Sequence, residues 1–399
     1  MVTTLWVAGA LLVCLGLLPV LATLRFRKYV LRYLNRESPQ FRPPLTVIVP
    51  CKGIDPGFDK NIKSLLDQDY PDFEILFVTA TSEEPAHARL KKVLSEHSDA
   101  NARLLVAGIE SARSQKLNNQ LRAYSETRAE TEALVFVDSD IRPHPHFLQD
   151  LVAPLVKESV GATTGFRWYI PEGGGAASYI RAAWNAGGLP VEADPNLAYA
   201  WGGAMAILRK TFERARIPER WANALTDDFP LTLAVRELGM SVHFVPTCLV
   251  GSHEDATWKQ LIEWTNRQTI ISRVYNPALW TTIFSFHAVH AIGMLVAFSV
   301  LVARGFAAVP AGAVWPALLI LSTVFLELAA GAILWITARR LLPAIGGMGR
   351  AVKHLALAPA ALLLILFNSL YSLFTREISW RGVRYRLHSP CQTEVLKEA

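Results

Sequence analysis

The chain has 399 residues, of which 40 are Lys or Arg and 34 are Asp or Glu, for a formal net charge of +6. At 51% hydrophobic, 19% charged and a mean hydropathy of +0.25, it is too apolar for an ordinary soluble domain and too polar for an all-membrane chain. The basic residues crowd the flanks of apolar segments, which favours anionic lipid head groups as partners, and with no nucleic-acid-binding pattern in the sequence, no nucleic acid is expected.

Residues 5–24 carry no charge and are long enough to cross a bilayer as a helix. No basic stretch precedes them, which disfavours a cleaved signal peptide. Arg25, Arg27, Lys28 and Arg32 follow, which places the next segment in the cytoplasm. Three more apolar candidates lie at about 278–303, 311–337 and 355–374. The expected division is an N-terminal anchor (1–30), a globular domain (40–252), an amphipathic interface helix (253–276), a membrane region (277–376) and a basic tail (377–399). An integral membrane protein with a cytoplasmic globular domain follows. The last apolar segment has Arg339, Arg340, Arg350 and Lys353 before it and Arg376, Arg381, Arg384 and Arg386 after it. Both flanks should then be cytoplasmic, which one crossing cannot give. Either the segment is re-entrant or interfacial, or the rule fails at one flank. Cys14, Cys51, Cys248 and Cys391 show no paired spacing, as expected of a reduced domain without disulfides or zinc.

Within the globular block, LTVIVP (Leu45–Pro50) reads as a buried parallel strand. Its loop carries Lys52 and Asp55, and a helix follows through NIKSLLDQ. FEILFV (Phe73–Val78), the helix EPAHARLKKVLSEH, ARLLVA (Ala102–Ala107) and ALVFVD (Ala133–Asp138) continue the alternation. This spacing predicts an α/β fold, a mostly parallel sheet with helices on both faces. GGG (Gly173–Gly175) suggests a mobile loop, while WGGAMAILRK (Trp201–Lys210) and SVHFVP (Ser241–Pro246) read as later strands. TDDFPLTLAVRELG (Thr226–Gly239) reads as a capped helix ending at Gly239. Ligands of such sheets bind beyond the carboxyl ends of the strands, where Lys52, Asp55, Glu83, Glu84, Asp138 and Asp140 fall.

Four stretches carry possible chemistry. Asp138 and Asp140 of DSD can hold Mg²⁺ or Mn²⁺ through oxygen ligands, and the ion would stabilise a departing diphosphate. The same tripeptide is also an ordinary solvated turn. Asp227 and Asp228 of TDD can cap a helix and favour its dipole, or one of them can act as a general base toward a hydroxyl. Lys116 and Asn119 in QKLNNQ suit a phosphate or a ribose, or an exposed helix start. In TWKQLIEWTNRQTIISRVY (Thr257–Tyr275), Trp258, Leu261, Ile262, Trp264, Ile270 and Ile271 alternate with Lys259, Arg267 and Arg273. This suits a helix in the membrane interface, with Trp264 or Arg267 also able to touch a ligand. Together these features point to sugar transfer from a nucleotide diphosphate to a lipid.

From about Val47 to Tyr275, with an echo in ISWRGVRYRL (Ile378–Leu387), the chain resembles the ceramide glucosyltransferase-like branch of the family 2 glycosyltransferases. The matching stretches are CKGIDPGFDKNIKSLLDQDYPDFEILFV, EEPA, QKLNNQ, VDSDIRP, WGGAMAILRK and TDDF, in order and at matching spacing. The resemblance implies a membrane-bound GT-A fold, a UDP-sugar donor, a divalent metal and a lipid acceptor. It assigns metal and diphosphate to Asp138, with Asp140 completing a DxD, and the catalytic base to Asp228 beside Asp227. It sets Lys116 and Asn119 near the nucleotide; Lys52, in the loop after the first strand, is a further donor-binding candidate by its position. Trp201 and Gly203 fall to the acceptor side with Trp264 and Arg267. TATSEE (Thr79–Glu84) stands where an aspartate usually contacts the base, which leaves Glu83 or Glu84 as its replacement. The Q/R-x-x-R-W pattern appears as Gln260-Leu-Ile-Glu263-Trp264, with Glu263 in place of arginine. Arg267, one turn further, can present a cation from the same face.

The implied reaction is a single displacement with inversion, in which Asp228 deprotonates the lipid hydroxyl and a metal on Asp138 and Asp140 neutralises the departing UDP. A processive polysaccharide synthase and a non-catalytic membrane scaffold are the alternatives.

Overall fold

The computed structural model describes residues 1–398. Helix α1 (Val2–Leu34) is followed by β1 (Leu45–Pro50), α2 (Phe58–Leu66), β2 (Phe73–Thr79), α3 (Pro85–Ser95), β3 (Ala102–Val106), α4 (Gln115–Tyr124) and β4 (Ala133–Val137). After this alternation come α5 (Phe147–Val152), β5 (Val160–Ile170), α6 (Ala176–Ala186), β6 (Ala204–Leu208), α7 (Arg209–Arg214), α8 (Ile217–Trp221), α9 (Asp228–Glu237) and β7 (Ser241–His253). Helices α10 (Trp258–Tyr275), α11 (Pro277–Gly305), α12 (Val314–Leu341) and α13 (Met348–Phe374) precede the strands β8 (Glu377–Trp380), β9 (Val383–Ser389) and β10 (Gln392–Glu398). Residues 33–173, 191–255 and 376 onward form one unit, which holds both sheets. Residues 1–32, 174–190 and 256–375 form a second, helical unit. The expected 40–252 domain thus gives up 174–190 to the helical unit and gains the C-terminal strands.

The main sheet has seven strands in the order β3-β2-β1-β4-β6-β5-β7. β1 pairs in parallel with β2 and β4, β2 with β3, and β5 with β7, while β6 runs against both its neighbours. Side chains from both faces are buried: Val47, Val49, Phe77 and Val135 in one cluster, Ile48, Leu76, Leu134 and Phe136 in the other. Burial on both faces is why LTVIVP and ALVFV are continuous apolar runs. Phe136 stacks on Phe212 at 5.9 Å and meets Trp221 edge-on at 5.2 Å. Truncating such a side chain to alanine costs about 3–5 kcal/mol.

The register brings one edge together. β1 and β2 run in step from Leu45↔Phe73 to Pro50↔Val78, and β4 joins at Leu45↔Ala133, so their carboxyl ends and following loops share one side. β6 is reversed, and its Val137↔Ala204 pairing sets Gly203 beside Asp138. β5 pairs with β6 at Thr164↔Met205 and continues past it, carrying Arg167 to the same edge.

The sequence pattern signalled neither β5 nor α6. β5 contains Gly161, Gly165 and Arg167, which break both an alternating and a continuous apolar run. Gly173 of the expected mobile loop donates its N–H to Asp255 Oδ2 at 2.6 Å. The stretch expected to be a basic tail instead forms a three-stranded antiparallel sheet, β10-β9-β8. Its first hairpin turns through Arg381 (φ 52°) and Gly382 (φ 80°) between the paired Trp380 and Val383. That is the geometry of a two-residue type I′ turn, and a non-glycine residue there carries about 1–2 kcal/mol of strain.

In the helical unit, α1, α11, α12 and α13 are long and apolar enough to cross a membrane. Leu12 of α1, Ala297 of α11 and Ala317 and Ile320 of α12 share an apolar cluster. α10 starts with a capping box between Thr257 and Gln260. Its buried face mixes Leu261 and Ile270 with Thr265, Asn266 and Thr269. Asn368 of α13 donates to Thr265 Oγ1 at 3.1 Å and to Asn266 Oδ1 at 2.7 Å. This face is a packed, partly polar one, and of the expected apolar stripe Trp258 is left exposed.

Candidate active site

Asp138 follows the last residue of β4, and its N–H donates to the Gly203 carbonyl at 3.1 Å. The Asn61 amide reaches the Ser139 carbonyl at 3.4 Å, and Arg142 in turn donates to Asn61 at 3.2 Å. These contacts hold the DSD turn beyond the strand. Arg167 forks onto Asp140 at 2.8 and 2.6 Å and reaches Asp138 Oδ2 at 3.0 Å. Its guanidinium also lies 5.1 Å from the centre of the Trp201 ring, within cation–π range.

Lys116 joins the two acidic motifs. Ser114 caps α4 by accepting from Leu117 N–H, which fixes the first turn that carries Lys116. Its ammonium lies 2.9 Å from Asp138 Oδ1 and 3.0 Å from Asp227 Oδ2, and it donates to the Gly202 carbonyl at 3.1 Å. Gln120, one turn along α4, donates to Asp227 Oδ2 at 2.7 Å, and the Trp221 indole donates to the Asp227 carbonyl at 3.1 Å. The glycine pair of the WGG stretch is a matter of space. A Cβ on Gly202 would stand 2.2 Å from Asp227 Oδ1, and one on Gly203 would stand 2.1 Å from the Trp201 ring and 2.7 Å from Asp138 Oδ2.

The carboxylates of this site differ in their protonation. Burial pushes Asp138 above the usual carboxylate range, against the pull of Lys116. Burial also acts on Asp140, but the Arg167 charge and hydrogen bonds outweigh it and hold Asp140 below that range. Asp228 opens α9 and accepts from Phe229 N–H at 2.7 Å. Burial first, and then the Asp227 charge, push its pKa up to about 6. A partly exposed carboxyl with that pKa can accept a proton from a substrate hydroxyl near neutral pH.

The family model for Glycosyl transferase family 21 matches residues 11–392. The chain belongs to glycosyl transferase family 21. Among curated relatives, ceramide glucosyltransferase 1 of Caenorhabditis elegans is 29% identical over 115 residues, 29% of this chain and 24% of that protein. The ceramide glucosyltransferase of Komagataella phaffii is 29% identical over 85 residues, 20% of this chain and 17% of that protein. The matched stretches thus span a quarter or less of these relatives. Among solved structures, the mannosyltransferase PcManGT from Pyrobaculum calidifontis, in complex with GDP-Man and Mn²⁺, shares 18% identity over 92% of this chain and 96% of that one, at a TM-score of 0.45. Glucosyl-3-phosphoglycerate synthase from Mycobacterium tuberculosis, with Mn²⁺, UDP and glucosyl-3-phosphoglycerate, shares 19% identity over 55% of this chain and 75% of that one, at a TM-score of 0.37.

In this family 21 member, Asp138, Lys116, Trp201, Gly203 and Asp227 of the expected site meet in one place, with Asp140 beside Asp138 and Asp228 following Asp227. Asn119 is used differently: it is 2% exposed, and its amide donates to the Val78 carbonyl at 3.1 Å while its oxygen accepts from Gln115. It is a clamp between α4 and β2 and is not open to a nucleotide. Glu83 is exposed and accepts from Ser82, and Glu84 precedes α3 without a side-chain cap. Lys52 contributes its carbonyl to Arg381 at 3.3 Å. Trp264 and Arg267 belong to the helical unit, where Trp264 meets Trp184 edge-on at 5.2 Å and Glu263 pairs with Lys259 at 3.9 Å. Sequence reasoning missed Arg167, Gln120 and Arg381. The signal for Arg167 was available, since an arginine inside FRWYI needs a buried acidic partner.

Asp138 and Asp140 offer hard oxygen donors, and they already hold a cation in the form of the Arg167 guanidinium. Among the described residues no group of three or more His, Cys, Asp or Glu gathers as a metal cluster. A pair of carboxylates fits Mg²⁺ or Mn²⁺ in the manner in which one or two carboxylates and substrate phosphates share an ion.

Proposed function

We propose that this chain transfers a hexose, glucose in the first instance, from a UDP-sugar to the hydroxyl of a membrane lipid such as ceramide, with inversion at the anomeric carbon. The observation that carries this reading is the Lys116 bridge, which holds the DSD turn and the TDD helix start in one site. A cationic corner then lies beside a carboxyl suited to be a base. The names of the curated relatives and the four apolar helices support the lipid acceptor.

In this mechanism the lipid oxygen attacks the anomeric carbon as the bond to the UDP oxygen breaks. Asp228 accepts the hydroxyl proton, and UDP leaves with the bonding electron pair. Lys116 and Arg167 lie where they offset charge developing on the diphosphate. Asp138 and Asp140 would hold Mg²⁺ or Mn²⁺, which supplies Lewis-acid stabilisation of that leaving group. Gln120 and Lys116 fix Asp227, so that its charge raises the basicity of Asp228.

The orientation we propose places the sheet unit in the cytoplasm, on the side of the basic residues that follow α1's apolar core. The chain leaves the sheet unit after Asp255 and rejoins it at Arg376. Thr393 N–H donates to the Asn223 carbonyl at 3.0 Å within that unit. This supports an even number of crossings among α11, α12 and α13. α13 is the helix we read as not crossing, because it has basic flanks at both ends, an internal Pro359 and the buried polar residues Asn368, Ser369 and Ser372. Protease protection of a C-terminal tag in sealed vesicles tests this, and a tag on the luminal side would overturn it.

For the activity, the purified protein is incubated with a panel of UDP-sugars and a total lipid extract, and new glycolipids are identified by mass spectrometry. A hexosylated sphingolipid made from UDP-glucose is expected. A soluble or polymeric product alone would refute the reading.

A further inference from the structure

We propose that Arg381, carried into the site by the C-terminal hairpin, is a donor-binding residue that takes the diphosphate of the sugar nucleotide. The proposal rests on the reading of the chain as a nucleotide-sugar-dependent transferase. Arg381 forks onto Asp55 at 2.7 and 2.9 Å, lies 3.9 Å from Asp140 Oδ2 and donates to the Lys52 carbonyl at 3.3 Å. Lys52 and Asp55 follow β1, and Asp140 follows β4, so the guanidinium stands at the carboxyl ends of the strands, where ligands of such sheets bind.

Three features set this arginine apart from its neighbours. Arg384 and Arg386 pair with Glu377, and Arg376 donates to the His388 carbonyl, so these three bond within the small sheet or its edge. Arg381 instead reaches the main sheet of the same unit. Its backbone is the second feature. Both turn residues have positive φ, a conformation that favours Asn-Gly, yet the first is an arginine. Residues held in such conformations cluster at functional sites.

The third feature is charge. Asp55 and Asp140 face Arg381, with Asp138 beside Asp140, and Arg167 and Lys116 alone do not offset them, because Lys116 is shared with Asp227. A diphosphate would add further negative charge. An arginine fork matches the geometry of a carboxylate and of a phosphate alike. On donor binding, the guanidinium passes from Asp55 to the diphosphate.

The test is isothermal titration of UDP and of UMP into the purified full-length protein with Mg²⁺ present, for wild type and variants. Arg381→Asn, combined with Asp55→Asn so that no carboxylate is left without its arginine, gives the turn the Asn-Gly pair it favours, and its melting temperature should stay near that of wild type. Its UDP affinity should fall by about tenfold or more, while UMP affinity stays within about twofold. Arg381→Lys should fall between, and Arg384→Ala, which alters an arginine of the small sheet, should match wild type. Equal losses of UDP and UMP affinity would mean that the hairpin merely supports the fold, and unchanged UDP affinity would mean that Arg381 does not bind donor. Either result overturns the proposal while the proposed function stands. A wild-type protein that binds no UDP would overturn both.

Discussion

Asp140 of the DSD corner and Asp228 of the TDD corner are the same residue type held in opposite ways. At DSD the carboxylates face Arg167 and Lys116, and Asp140 is held ionised by its arginine fork. At TDD the one close ammonium is taken by Asp227, and Asp228 is left desolvated beside a like charge with a pKa of about 6. Carboxylates whose surroundings push their protonation apart mark a division of labour. The cation-rich corner suits a diphosphate and a divalent ion. The cation-poor corner suits proton transfer.

Lys116 is the shared element, so its removal should break the comparison most thoroughly. Lys116→Met leaves buried charge at both Asp138 and Asp227. It should lower stability by about 3–5 kcal/mol in denaturant unfolding and abolish transfer. Adding Asp227→Asn should restore part of the stability and none of the transfer. A single variant with wild-type stability would show that the two corners are not joined through this residue.

Gly203→Ala acts on the DSD corner alone. The added methyl must displace Trp201 or Asp138, at about 1–3 kcal/mol, and donor affinity should fall with no shift in the pH profile. The pH profile itself reports on the TDD corner. The base must be ionised, so kcat/KM should fall about tenfold per unit as pH drops below about 6. A flat profile down to pH 5 would remove Asp228 from the role. The smallest effect is expected at Glu83, which is exposed and bonded to its neighbour Ser82. Glu83→Gln should change donor KM by less than about twofold, and a larger loss would return Glu83 to the nucleotide site.

Much of this was legible in the sequence. LTVIVP, FEILFV and ALVFV are buried on both faces and showed as apolar runs, and the loops after them located the site edge. The two acidic motifs were visible as motifs. What was not visible is how they are connected. The Lys116 bridge spans residues more than a hundred positions apart in sequence, and no local periodicity records it. β5 was hidden because its glycines and Arg167 serve close packing and the site rather than a strand pattern. The C-terminal sheet was hidden behind its charge: alternating arginines in VRYRLHS looked like a basic tail, when they are the exposed face of β9, the middle strand of the small sheet. Asn119 misled in the other direction, because a buried amide clamp and a ligand contact look alike in sequence.

The central claim is that donor binding and proton transfer divide between the two corners, and Asp228→Asn measured beside Asp140→Asn tests it most directly. Asp228→Asn should leave UDP affinity within about threefold while transfer falls by about a thousandfold or more. The raised pKa of Asp228 means that its ionised form destabilises the fold, so the stability it contributes when protonated is lost as pH rises through about 6. Asp228→Asn should therefore be more stable than wild type at pH 8, by roughly 1–3 kcal/mol. Asp140→Asn should instead weaken UDP binding in the presence of Mg²⁺ or Mn²⁺ by about tenfold or more. Full transfer by Asp228→Asn, or a loss of UDP affinity as large as its loss of transfer, would contradict the account.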